Sequence, residues 1–286
     1  MHWHSLPEAV RILVASEADE ASVNQRTALR TLAPWTEERP FEGTPTHRVG
    51  DMVLVSIRED HLYRDHLDRD LTDFFGAPPE AMVYLSKHRS ESRIPSLTVH
   101  PVGNPGKAEF GGHPQSLVPS SPLWMTAALR RLRTEASGLP YQVTFEATHH
   151  GPYLETPTFY IEQGSTEREW ADPEASKAIA RTLLGIEPLD VPVAVGIGGG
   201  HYAPRHTDLV MARRIAFGHL IPSLVMEGLP DEVLEQAVQR TPGASLAYLH
   251  RKSLGKPEAR DLETRLAARG LRVVHEADLP PWEDKG

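Results

Sequence analysis

Hydrophobic positions along the chain fall into short continuous runs, separated by segments in which apolar residues recur every three or four positions. That is the pattern of strands followed by helices. Arg11 to Ala15 opens as a buried strand, and Ala21 to Leu32 follows with helical spacing until Pro34 stops it. Met52 to Ile57, Ala81 to Leu85 and Ser96 to His100 read as further strands, each ending at a polar loop. Ser121-Pro122 places a capping residue before a proline at the first helical turn, and Leu123, Ala127, Ala128 and Leu132 line one face of the helix that runs to Gly138. Tyr141 to Ala147 and Thr158 to Glu162 alternate like strands on either side of the polar link Thr148-His149-His150-Gly151-Pro152. Asp172-Pro173 repeats the cap-and-proline signal for a helix to Leu184, ended by Gly185. The β-branched run Val191 to Ile197 predicts a central strand that passes through three glycines into a helix from Thr207 to Phe217. Helices at Asp231 to Gln239 and Pro257 to Arg269 enclose a strand at Ala244 to Leu249, and Leu271 to His275 is the last strand. This alternation predicts an α/β fold with helices on both faces of a sheet. One domain over 1–286 is expected, with the Pro- and Gly-rich stretch 101–121 as a long functional loop or subdomain insertion.

Composition narrows the function classes. With 30 Lys+Arg against 39 Asp+Glu the formal charge is -9, which argues against a non-specific DNA coat yet leaves room for a local basic strip facing a polyanion. No apolar stretch approaches the roughly 18 residues needed to cross a bilayer. The start, Met1-His2-Trp3-His4-Ser5, has neither a basic flank nor an apolar run, so a cytoplasmic protein without a membrane partner is expected. The absence of cysteine removes disulfides, thiolate chemistry and zinc ribbons. Histidine, at 15 copies, stands out, and any transition-metal site must be built from imidazole and carboxylate.

His88, His100, the His149-His150 pair and His201 fall at or just beyond the ends of predicted strands, where open α/β sheets place ligands. That placement predicts a metal or acid/base cluster. His2, His4, His47, His61, His66, His113, His250 and His275 lack it and read as surface residues. Neighbouring strand residues face opposite ways, so His149 and His150 reach one metal only if the chain turns, and Gly151-Pro152 supplies a turn. Glu146, Glu155 and Glu162 are near enough in sequence to serve as ligands, a general base or orienting groups, or to be solvated strand-end charges. The loop Gly198-Gly199-Gly200-His201 matches neither a dinucleotide fingerprint nor a Walker loop. Its small residues and following helix suit an anion or oxyanion, with Arg205 beside it, or else a tight turn needing positive φ. Basic residues group at Arg130-Arg131-Leu132-Arg133, Arg213-Arg214 and Arg251-Lys252, as a phosphate strip or as solvated faces. No GxSxG elbow supports serine catalysis.

Several segments together carry a resemblance: Ser86 to Ser90, Ile94 to Pro101, Gly103-Asn104, Glu146 to Pro152, Gly164-Ser165-Thr166 with Glu169-Trp170, Gly199 to Arg205 and Gly218 to Pro222. With the opening strand and Ala21-Ser22-Val23-Asn24, they resemble the D-aminoacyl-tRNA deacylases of the archaeal and plant type over nearly the whole chain. The resemblance implies a zinc-dependent esterase that cleaves D-amino acids from mischarged tRNA, a proofreading and detoxifying activity. Its core would be a mixed central sheet similar to the phosphorylase/hydrolase-like fold of peptidyl-tRNA hydrolases. Carried onto matching positions, it implies His88, His100 and His149 as zinc ligands and His150, His201 and Glu146 in catalysis, with the division between the two roles left open. Gly198, Gly199, Gly200 and Arg205 would then serve the oxyanion or a phosphate, and Arg130, Arg131 and Lys252 the tRNA, with a monomer expected. Gln163, His206 and the Pro105-Gly106 that follows Asn104 depart from the family pattern, which puts the role of His206 and the shape of the Asn104 loop in question. A zinc peptidase-like hydrolase and a non-catalytic tRNA- or nucleotide-binding protein are the rival readings.

Overall fold

The computed structural model describes residues 10–283, so His2 and His4 lie outside the described residues. The chain opens with β1 (Arg11–Ser16) and α1 (Glu20–Leu32), then turns through β2 (Thr36–Phe41) and β3 (Thr44–Val49) into β4 (Met52–Ile57). α2 (Leu67–Phe75) leads to β5 (Ala81–Arg89) and β6 (Ser96–Pro101), after which β7 (Gly103–Asn104) and β8 (Ser116–Leu117) bracket a long loop. α3 (Pro122–Glu135), β9 (Gln142–Phe145), β10 (Thr158–Ser165), α4 (Glu167–Trp170) and α5 (Pro173–Gly185) follow. The remainder alternates through β11 (Val193–Ile197), α6 (Pro204–Ala212), β12 (Ala216–Ile221), α7 (Asp231–Gln239), β13 (Ala244–Leu249), α8 (Lys256–Ala268) and β14 (Arg272–Val274).

Eight strands form a mixed sheet in the order β2-β3-β4-β1-β5-β10-β6-β9, and β11 to β14 form a second, parallel sheet in the order β12-β11-β13-β14. All six residues of β1 are buried, as a strand covered on both faces requires. Leu13 and Ala15 join Leu29 of α1, Leu129 of α3 and Ile179 of α5 in one core. Ile12 and Val14 face the other way, into a core with Tyr84, Tyr160 and Leu67 and Leu71 of α2. Helices on both faces of a mixed α/β sheet are therefore observed. The Asp172 cap holds, its Oδ1 accepting from Glu174 N at 2.9 Å. Pro122 opens α3 as expected, but the Ser121 side chain makes no capping bond.

One expected element changes, and two elements form that no sequence signal announced. The helix drawn from Thr207 to Phe217 ends at Ala212, and Ala216–Ile221 is a fully buried strand. Parallel pairing with β11 decides that segment, and Gly218 lets it pack closely, since a Cβ there would meet Thr241 Cγ2 at 2.3 Å. The β2–β3 hairpin, at the edge of the large sheet, carries two prolines and mostly part-exposed residues, so no apolar run announces it. α2 likewise has only a narrow buried stripe. What positions the site is a seam between the sheets. Glu146 N donates to Val99 O of β6, Ala147 N to His201 O and Thr148 N to Leu220 O of β12, so three consecutive amides tie the sheets together.

Candidate active site

The site is assembled on one face of three adjacent strands. In register, Tyr84 of β5 pairs with Tyr160 of β10 and that with His100 of β6, while Glu162 pairs with Ser86. Alternate residues share a face, so Ser86 and His88, Tyr160 and Glu162, and His100 point to the same side as Tyr84. His88 and His100 thus converge from within strands, across a sheet face, because β6 runs antiparallel to β10. The expectation of convergence beyond carboxyl ends is corrected on this point. The Glu146-to-Gly151 segment then crosses above this face. His150 has φ +46, a left-handed backbone, and this turn brings its ring to 4.4 Å from that of His149.

Seven groups meet. His88 Nδ1 lies 3.0 Å from Glu146 Oε1 and 3.3 Å from Glu162 Oε2, and His100 Nε2 lies 3.5 Å from Glu162 Oε1. His201 Nε2 and His149 Nε2 lie 3.0 and 3.5 Å from Glu146 Oε2, and His150 Nε2 lies 3.8 Å from Glu162 Oε1. Both Glu146 oxygens and His100 Nε2 are buried without an aligned hydrogen bond, although nitrogens or oxygens stand this close. Such groups aim at a shared point rather than at each other. Three sets lie within coordinating reach: His100, His149 and His150; Glu146, His149 and His201; and His88, Glu146 and Glu162.

The hydrogen bonds made by the opposite ring nitrogens separate these sets. His100 Nδ1 donates to Pro101 O at 3.1 Å, His149 Nδ1 to Ala147 O at 2.8 Å and His150 Nδ1 to Gly151 O at 2.7 Å. A backbone carbonyl therefore fixes a proton on Nδ1 in all three and turns each Nε2 toward the cluster. His88 differs: its Nδ1 faces the two carboxylates and its Nε2 takes the Tyr202 hydroxyl at 2.8 Å, so both nitrogens are engaged. The electrostatics set His100 apart from the other two: burial opposes its charging, but Glu162 and Glu146 outweigh it and raise its pKa. Burial, then the neighbouring imidazoles, holds His149 well below its ordinary pKa, and burial lowers that of His150. Burial also opposes charging of His88, but Glu162 and Glu146 outweigh it and raise its pKa to about 10. Burial would lift the Glu162 carboxyl, yet His100, His150 and His88 hold it well below the usual carboxylate range.

Other expected residues fare differently. Gly198 N donates to Ile221 O at 2.8 Å, and Gly199 N to the Ser253 and Ser223 hydroxyls at 2.7 and 3.0 Å. Both glycines have φ +95, so here the tight turn prevails and these two amides are already used; Gly200 leads directly into His201. Arg205 is bound by Tyr248 at 2.9 Å and Glu276 at 2.5 Å, in a separate cleft with His250 and Lys252. Arg130 donates to the carbonyls of Val210 and Met211 beneath Trp282, and Arg131 pairs with Glu135. Neither lines the histidine cleft. Glu155 is an exposed partner of Arg69.

Sequence reasoning missed His61, which is buried rather than on the surface: its Nε2 lies 3.2 Å from Ser86 Oγ and its ring 5.4 Å from that of Tyr160. His47 is also buried. Tyr202 was missed too, though its place after His201 was a usable signal. His206 is buried against Phe217 and Tyr248, away from the cluster.

His149, His150 and His201 line a cleft of about 700 Å³ walled by the loops around 104–115 and 222–230. No described helix is long and apolar enough to cross a membrane. Residues 75–274 match a family model described as D-aminoacyl-tRNA deacylase. A curated D-aminoacyl-tRNA deacylase of Methanosarcina mazei is 40% identical over 276 residues, covering 93% of this chain and 92% of its own length. That of Pyrococcus abyssi is 34% identical over 272 residues, covering 93% and 99%. A crystal structure described as a conserved protein of unknown function superimposes with a TM-score of 0.88 at 32% identity, over 95% of this chain and 97% of that one. The chain belongs to the D-aminoacyl-tRNA deacylase family.

Proposed function

We propose that this chain hydrolyses the ester between a D-amino acid and the 3′ end of tRNA, using a zinc ion held by His100, His149 and His150. The observation that carries the metal reading is the shared tautomer: three Nδ1–H groups bound to backbone carbonyls and three Nε2 atoms left facing one region. Three imidazoles are an established zinc donor set; burial keeps His149 and His150 in the neutral form that ligates, and His100, whose pKa Glu162 raises against burial, would release a proton on binding. This regroups the expected residues, with His150 in place of His88. When bound, zinc supplies Lewis acidity, polarising the ester carbonyl and acidifying water at neutral pH.

The chain's own groups handle the proton. Glu146 Oε2 stands 3.0 Å from His201 Nε2, and the His201 ring, 52% exposed, is the most open of the three histidines that line the cleft. Glu146 therefore holds the ring through Nε2–H, and the opposite nitrogen, Nδ1, accepts a proton from the attacking water or delivers one to the leaving ribose oxygen. His88, clamped between Glu146 and Glu162 and capped by Tyr202, fixes both carboxylates. All seven groups come from one chain, so the cluster needs no second copy.

The test is release of D-tyrosine from D-tyrosyl-tRNA, with the L-ester as control. Dialysis against a strong chelator should abolish release, and zinc should restore it in proportion to metal bound, read separately by atomic absorption. Full turnover by demonstrably metal-free protein would end the metal reading, and no release by the zinc-loaded protein would end the esterase reading.

A further inference from the structure

The stretch 101–121 carries, midway, a feature that the hydrolytic cluster leaves unexplained. Phe110 lines the mouth of the histidine cleft with 57% of its surface exposed, and it is the only Phe, Tyr or Trp among the described residues lining that cleft. Exposing a phenyl ring forgoes its burial, so a free, mobile loop would give no reason for it there. This loop is not free. Phe110 O accepts from Gly151 N at 2.9 Å, directly after His150, and Gly111 O accepts from Asn104 Nδ2 at 2.9 Å. Gly111 and Gly112 have φ +66 and +69, and a Cβ on Gly111 would lie 1.7 Å from Leu62 O. A Cβ on Gly151 would lie 2.3 Å from Gly112 N, so the two backbones touch. At its other end the loop is held by Gln236, which accepts from Leu117 N at 3.0 Å and donates to Gln115 O at 3.0 Å. The ring is thus carried at the cleft mouth on backbone locked to the segment that carries His149 and His150. Leu224, 91% exposed, and Val225 also line this cleft.

We infer that Phe110 is a stacking platform for the terminal adenine of the tRNA, and so a determinant of substrate positioning. The inference rests on the esterase reading above. In an aminoacyl-tRNA the ester and the terminal base are borne by the same ribose, so a protein that brings the ester to the histidines must accommodate that base at the mouth of the same cleft. Aromatic faces bind bases by stacking, without regard to the rest of the sequence. A rigidly anchored ring suits the part of the substrate common to every tRNA, whereas the acyl side chain varies from one substrate to the next. The exposed aliphatic wall at Leu224 and Val225 is left for that variable group.

The experiment compares wild type with Phe110→Ala and Phe110→Trp, each zinc-loaded and shown to retain the wild-type thermal midpoint. Binding of adenosine 5′-monophosphate is measured by calorimetry, with ribose 5-phosphate as the baseless control, and this arm does not depend on turnover. Phe110→Ala should weaken the nucleotide about tenfold, the scale of losing one base stack, and leave ribose 5-phosphate unchanged; Phe110→Trp should retain the nucleotide. In hydrolysis, Phe110→Ala should raise KM for D-tyrosyl-tRNA and D-alanyl-tRNA alike with kcat within about twofold, and should not affect D-tyrosine methyl ester. Unchanged nucleotide affinity in Phe110→Ala overturns the inference. So does a penalty confined to D-tyrosyl substrates or equal on the methyl ester, since the ring would then contact the acyl group. Absence of hydrolysis in wild type with nucleotide binding intact and ring-dependent removes the esterase reading while leaving the platform standing.

Discussion

His219→Gln isolates a buried neutral imidazole that ties the second sheet to the site. His219 is fully buried, its Nε2 donating to Val118 O at 2.9 Å and its Nδ1 accepting from the Thr148 hydroxyl at 3.1 Å, one residue before His149. Burial lowers its pKa from 6.5 to about 3. An unfolded chain takes up the proton below its ordinary pKa of 6.5, while the folded chain refuses it until about 3. Unfolding free energy therefore has its full value above pH 6.5 and falls as the pH drops. At pH 5 the loss from this one ring is about 2 kcal/mol, approaching ~1.4 kcal/mol for each further pH unit until the folded pKa is reached. Glutamine keeps one donor and one acceptor but does not titrate. The assay is urea unfolding of wild type and His219→Gln from pH 7.5 to pH 5, with chelator throughout so that metal release does not enter. The wild-type minus variant stability should shrink by about 2 kcal/mol across that range, because acid penalises only the wild type. His206, whose pKa burial also lowers to about 3, is common to both proteins and cancels. A stability difference that is flat with pH refutes the neutral buried ring.

Two further substitutions probe the site. Glu146→Gln removes the carboxylate that holds His201 at 3.0 Å and should lower single-turnover deacylation about a hundredfold or more; a rate within threefold of wild type would remove Glu146 from proton handling. Gly164→Ala adds a Cβ that would meet His88 O at 2.3 Å and His88 Cβ at 2.7 Å. Forcing β5 and β10 apart should cost about 1–3 kcal/mol in urea unfolding, and an unchanged midpoint would show that the pair has slack there.

The parts legible in the sequence were those with a local cause. β1, α1, β4, β6 and α5 follow from apolar runs or cap-and-proline signals that tertiary structure did not override. The five histidines were legible as a set because their positions relative to strands could be read one at a time. Their grouping was not, since it depends on β6 running antiparallel to β10 and parallel to β9, and on which carbonyl each Nδ1 meets. Glu162 could be named only as one of three carboxylates, and its selection over Glu155 is set by the register that pairs it with Ser86. His61 gave no signal at all, because its burial comes from the ring stack of Tyr84 and Tyr160, 4.9 Å apart on neighbouring strands. The division into two sheets was equally hidden, for strand order is a property of pairing and not of any one segment.

The seam between the sheets also holds the five histidines unequally. His88 and His100 stand on strands of the large sheet, and His149 and His150 on a segment bonded to it through the Val102–His149 bridge and Gly103 N to His150 O at 2.8 Å. Each of these four rings has a second contact at its far nitrogen, which fixes its rotation as well as its position. His201 is delivered from the second sheet by the glycine turn, and its backbone is pinned on either side by Ala147 N to His201 O and Ala203 N to Phe145 O. Its imidazole, however, is half exposed and held through Nε2 by Glu146 alone among the described contacts. A ligand gains from being fixed at both nitrogens, because metal geometry tolerates little displacement. A proton carrier must alternate between donor and acceptor and gains from the opposite arrangement, a secured backbone with a ring free to turn. On the proposed reading, three of the fixed rings would hold the metal, His88 would hold the carboxylates, and the loosely held ring from the second sheet would carry the proton.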